Sequence, residues 1–121
     1  MFAKRLLQMS VLYLIVGILM GVGMGMTENF ALRPVHAHVN LLGWATMALM
    51  GLVYKAYPDA AATTLAKVHF WLHAVGLPPL MIALAVLLSG NAAAGPVVGI
   101  LSIVTGIGVI AYCVNILRFI R

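Results

Sequence analysis

Acidic side chains are nearly absent from this chain, Glu28 and Asp59 standing against seven lysines and arginines. A carboxylate pair, a serine elbow and a phosphate-cradling glycine loop are missing as well, which removes the usual equipment of hydrolases and kinases. Only 7% of the residues are charged, and a water-soluble domain of this size has to cover more surface than that with polar groups. The cations stand singly between long apolar runs, so the formal charge of +5 forms no basic patch and nucleic acid is excluded as a partner. Cysteine is represented by Cys113 alone, and a lone cysteine forms no intrachain disulfide.

Hydrophobic residues make up 64% of the 121. They fall into four stretches almost free of charge, about 6–26, 35–54, 65–88 and 96–117. Each is long enough to cross the hydrocarbon layer, which takes about 20 helical residues at about 1.5 Å each. The expected fold is therefore an all-α membrane protein, a single four-helix transmembrane domain with short connections. Pro34 and Pro96 sit where a helix can open without losing a needed N–H. The first stretch follows Lys4 and Arg5 and exceeds a usual signal-peptide core, so it reads as a retained anchor.

An inside N-terminus puts Lys4, Arg5, Lys55, Lys67, Arg118 and Arg121 on the cytoplasmic side and leaves Arg33 outside. The positive-inside rule then predicts two cytoplasmic termini and a multi-pass protein of a bacterial-type inner membrane. Gly17, Gly21 and Gly25 recur at intervals of four, a face that lets another helix approach closely; Gly99, Gly106 and Gly108 repeat the signal more loosely. These faces suggest a homo-oligomer. Met20, Met24, Met26, Met47 and Met50 lack a companion cluster of soft ligands and read as packing or lipid-facing residues.

The four histidines are the chemistry-bearing residues. His36 and His38 lie near the start of the second stretch, and His69 and His73 near the start of the third. Ionisable groups inside a span are costly and mark functional positions. Residues two apart on a helix point about 200° from each other, so His36 and His38 serve different sides of their helix. His69 and His73 share a face and could jointly hold a small metal ion or line a cavity, although two nitrogens do not make a complete metal site. Counted from the outer helix ends, His38 lies about 6 Å deep and His73 about 24 Å, which argues against one iron held between them. A bis-histidine haem then requires a second copy or another subunit. Asn40, one turn beyond His36, is placed to orient that imidazole or to bridge helices. Pro78 and Pro79 are expected to bend the third helix and free carbonyls that His73 or Asn40 can use.

The segment LRPVHAHVNLLGWATMALMGLVYKAYP, from Leu32 to Pro58, resembles part of the catalytic subunit of haem-copper oxidases and nitric oxide reductases, in which two histidines separated by one residue open a membrane helix. HFWLHAVGLP, from His69 to Pro78, is similar to the helix that follows. The likeness covers about half the chain and implies haem b, with His36 and His38 as ligands to different partners. Residue chemistry adds candidates around such a haem: Arg33 for a propionate, Trp44 for a porphyrin face, and Asn40, His69 and His73 as further polar contacts. Those subunits have many more spans and a copper site on helices that have no counterpart here, so the resemblance implies neither copper nor oxygen reduction by this chain alone. The reading that results is a small b-type haem protein for electron transfer or diatomic-gas binding. Its alternative is an accessory or assembly protein of a respiratory oxidase with structural histidines.

Overall fold

The computed structural model describes residues 1–119; Arg121, counted above with the inner cations, lies outside the described residues. Four helices long and apolar enough to cross a membrane follow one another: Phe2–Thr27, Arg33–Ala56, Thr64–Leu88 and Ala92–Phe119. The fold is all-α and multi-pass. Short connections turn the chain back each time, and their local chemistry is that of helix ends. Pro34 opens the second span and Pro96 sits in the first turn of the helix Gly95–Phe119. Thr63 caps the third span by accepting from the Ala66 N–H at 3.0 Å, and Asn91 accepts from the Ala93 N–H at 3.1 Å. Glu28 ends the first span in the left-handed region, with φ 54°.

The spans pack as two hairpins. The first lies along the second and the third along the fourth, with a thinner seam between the pairs. Glycines set the closeness of both. A Cβ on Gly108 of the fourth span would come within 2.9 Å of the His73 backbone nitrogen, and one on Gly43 would collide with the Tyr13 ring. The Gly17 face, expected to attract another copy, is consumed within the chain: Gly17 receives the Asn40 amide and Gly21 the His36 ring. Gly25, one turn further on, meets nothing within 4 Å, and neither do Gly99 and Gly106. Small residues let two backbones approach wherever the nearest helix is, and the shortest connection supplies that helix.

The buried core between the hairpins runs from Val35, Val39, Leu80 and Met81 on one side to Leu6, Tyr54 and Phe70 at the end that carries Lys4, Lys55 and Lys67. Phe2 stacks on Phe70 there with ring centroids 4.7 Å apart. Asn115 pins the fourth span at the same end. It donates from Nδ2 to the Ala60 carbonyl at 2.8 Å and accepts at Oδ1 from the Thr63 hydroxyl at 2.8 Å.

The second span is not a uniform α-helix. Val39–Ala45 is wound as a π-helix between α-helical ends. Asn40 supplies a local cause, because its side-chain amide donates to the His36 carbonyl at 2.8 Å, the acceptor that its own backbone N–H would use in an α-helix. At the far end of the segment the Thr46 N–H bonds Leu41 O and not Leu42 O. One main-chain carbonyl, that of Leu42, is thereby released in mid-span.

Candidate functional site

The two histidines of the second span face opposite ways, as their spacing requires. His36 is half-buried against Gly21 of the first span, with its Nδ1 3.4 Å from the Asn40 amide nitrogen. Of the two roles expected of Asn40, it holds the imidazole; its hydrogen bonds stay within its own helix, and against the first span it only packs, at Gly17. His38 turns to the other side and lines a groove of about 500 Å³ between the second, third and fourth spans. The rest of the wall is mainly apolar and includes Leu42, Leu80, Met81 and Val109. His38 Nδ1 lies 2.7 Å from the Pro34 carbonyl of its own helix. A carbonyl only accepts, so Nδ1 carries the proton, and Nε2 of the neutral ring keeps its lone pair.

His69 and His73 are fully buried and bridge the two hairpins. The Tyr54 hydroxyl lies 3.1 Å from His69 Nδ1, His69 Nε2 lies 3.4 Å from His73 Nδ1, and His73 Nε2 lies 3.1 Å from the Leu42 carbonyl oxygen. All four ring nitrogens are thus engaged in hydrogen bonds. The interhelical bonding of this pair follows from burial, since an unpaired imidazole in a dry bundle is costly. Its acceptor differs from the expected one. His73 uses the carbonyl that the π-helix releases on the second span, while Asn40 bonds within its own helix; Pro78 and Pro79 stay inside one continuous third helix, Thr64–Leu88.

The depth count is corrected by the same contact. His73 reaches Leu42, one turn from His38, so the two histidines lie closer in depth than their distances from the helix ends imply. Leu42 is nine residues from Arg33 and His73 sixteen from Ser89, which sets the outer end of the third span about 10 Å beyond that of the second. Residue counting assumes level helix ends, and these hairpins are staggered.

Other expected site residues are distributed differently. Arg33 is exposed at the mouth of the second span, its guanidinium 5.4 Å from the Phe30 ring centroid. Trp44 is 41% exposed on the outer surface and does not line the groove. Trp71 is likewise exposed, whereas Phe70 belongs to the core. Among the described residues no three His, Cys, Asp or Glu side chains converge to hold a metal ion. Tyr54 is the member of the site that the sequence did not single out as a histidine partner. Its only early signal was an aromatic hydroxyl within the second apolar run.

Comparison with protein-family models, with curated proteins and with solved structures gives no match to this chain.

Proposed function

We propose that this chain is a b-type haem protein of a bacterial-type cytoplasmic membrane, with His38 as the axial ligand. The observation that carries the reading is the bond from His38 Nδ1 to the Pro34 carbonyl. It orients the ring and raises the basicity of Nε2, the arrangement in which a protein imidazole serves iron. The groove beside it has the size and apolar lining of a cofactor site. Arg33 is exposed at the mouth of the same helix, about 140° around it from His38 and outside the groove lining, so its guanidinium would have to turn towards the groove to meet a propionate. The donor chemistry therefore fits haem b. When bound, the haem supplies one-electron redox chemistry or a gas-binding iron.

The residues of this chain do the rest. His38 holds and aims the ligand nitrogen, the apolar wall excludes water, and His36 and Asn40 fix the helix that carries His38. With His69 and His73 committed to hydrogen bonds, any second histidine for the haem would have to come from a neighbouring copy, which would suit electron transfer, whereas His38 alone would suit gas binding. Gly25 and Gly99 remain open for such a homo-oligomeric contact or for a respiratory-chain partner. Lys4, Lys55 and Lys67 share one end, and the positive-inside rule supports a cytoplasmic position for it and for both termini.

The test is the visible spectrum of the purified, haem-supplied protein, oxidised and reduced, with haem quantified per chain. Stoichiometric haem that His38→Ala abolishes and His36→Ala retains is the expected result. A folded protein without bands overturns the reading and favours an accessory protein of a respiratory oxidase with structural histidines.

A further inference from the structure

The basic end of the bundle carries two hollows that meet at one lysine. The first, of about 600 Å³, lies along the outside of the first hairpin and is lined by Lys4, Gln8 and Lys55 together with Leu7 and Val11. The second, of about 420 Å³, lies towards the start of the third span and is lined by Lys55 and Lys67 with Pro58 and Ala62. Ala3 and Lys55 belong to the walls of both. Lys4, Lys55 and Lys67 are all exposed, and Asp59, the acidic residue of the neighbouring connection, lines neither hollow. Three positive charges thus gather on two adjoining concave surfaces with no carboxylate in their walls.

The first hollow changes character with depth. Helical rise puts Gln8 about 6 Å and Val11 about 10 Å beyond Lys4 towards the middle of the membrane. Residues 4, 8 and 11 share one helix face, and Val11 is 55% exposed on it. Ammonium groups at the rim, an amide one turn in and an apolar wall beneath match, in that order, the phosphate, the glycerol esters and an acyl chain of a phospholipid. A free inorganic anion would use only the first of these. The exposed Gln8 amide is costly against hydrocarbon and is satisfied beside ester groups. A single phosphate would occupy one hollow and leave the lysine of the other unmatched.

We propose that the two hollows form a binding site for an anionic phospholipid whose headgroup carries two phosphates, one in each hollow with Lys55 between them. Lys4 and Gln8 hold the first phosphate and its glycerol esters, Lys67 holds the second, and one acyl chain lies along Leu7 and Val11. Basic pockets between membrane helices are known seats of such headgroups. Bound there, the lipid ties the start of the first span to the start of the third, across the seam between the hairpins. The haem reading is no premise of this site, which lies away from the groove of His38.

In the experiment the full chain in detergent micelles is mixed with tetraoleoyl diphosphatidylglycerol and dioleoyl phosphatidylglycerol at equal phosphate, and native mass spectrometry counts the lipid retained per chain. One diphosphatidylglycerol per chain is expected, preferred over the monophosphate lipid by about fivefold or more, the scale of one further lysine engaged at a membrane surface. Lys55→Gln should weaken retention by about fivefold or more for the same reason. Arg118→Gln removes an exposed cation from the last turn of the fourth span, at the same end but in neither hollow, and should leave retention unchanged. Both side chains are exposed, so neither substitution disturbs the core, and circular dichroism checks that each variant is folded. Equal retention of the two lipids, or equal loss in Lys55→Gln and Arg118→Gln, overturns the site. Inorganic phosphate at the lipid's concentration should not displace it; displacement would mean that the hollows read a free anion, and overturns the lipid. No haem signal enters this readout, so its failure and that of the haem reading are separate results.

Discussion

Gly17→Ala is the perturbation that best isolates how the first two spans are held. A Cβ at this position would lie 2.5 Å from Asn40 Oδ1 and 2.6 Å from Nδ2, well inside contact distance. The Asn40 amide is not free to swing away, because it donates to the His36 carbonyl at 2.8 Å and lies 3.4 Å from the His36 ring. The variant must either part the two helices or break that link. Overpacking of this kind costs about 1–3 kcal/mol, and a lost interhelical or local hydrogen bond in a membrane about 0.6 kcal/mol. Alanine also favours the helix over glycine by about 0.5–1 kcal/mol, which offsets part of the loss. Gly25→Ala carries that same benefit with nothing in reach of its Cβ, so the difference between the two variants reads the steric term alone. The expected difference is about 1–3 kcal/mol in unfolding by sodium dodecyl sulfate from mixed micelles, followed by circular dichroism. Removing the amide in Asn40→Ala should make the second substitution cheap, a coupling of about 1 kcal/mol or more in the double-mutant cycle. If Gly17→Ala and Gly25→Ala unfold alike, or if the cycle shows no coupling, the first span does not pack on Asn40 as described.

Among the described residues two buried hydroxyls, those of Tyr13 and Thr105, have no hydrogen-bond partner. Tyr13→Phe and Thr105→Val should therefore be neutral or stabilising by up to about 1 kcal/mol in the same assay, and a clear loss in either would mean that the hydroxyl has a partner. Asn115→Leu should destabilise by about 1 kcal/mol and no more, because the Thr63 hydroxyl, 3.1 Å from Ala60 O, turns to the carbonyl that Asn115 leaves. The double variant Asn115→Leu with Thr63→Val should lose markedly more, and an additive pair would refute that compensation. His38→Ala should abolish haem with the unfolding midpoint of the haem-free protein unchanged, since the side chain is exposed to the groove and its one bond is to its own helix.

Apolar length alone determined four spans, because runs of about 20 apolar residues fit a helix, which satisfies its backbone within the segment, and exceed a barrel strand; cation placement marked one end of the bundle. Helical spacing sent His36 and His38 to opposite sides and put His69 and His73 on one face, since 3.6 residues per turn is a local property. The glycine spacing was legible as a close contact but not as to its occupant, which turned out to be Asn40 and His36 of the same chain. Tertiary structure alone decided the rest. The stagger of the hairpins brought His73 to the level of Leu42, and packing is what sets one helix against another in depth. The π-helix released the Leu42 carbonyl to receive it, through a single extra residue in the winding that hydrophobic periodicity does not record. The chain of Tyr54, His69 and His73 ends on that one carbonyl, an acceptor that no residue type announces.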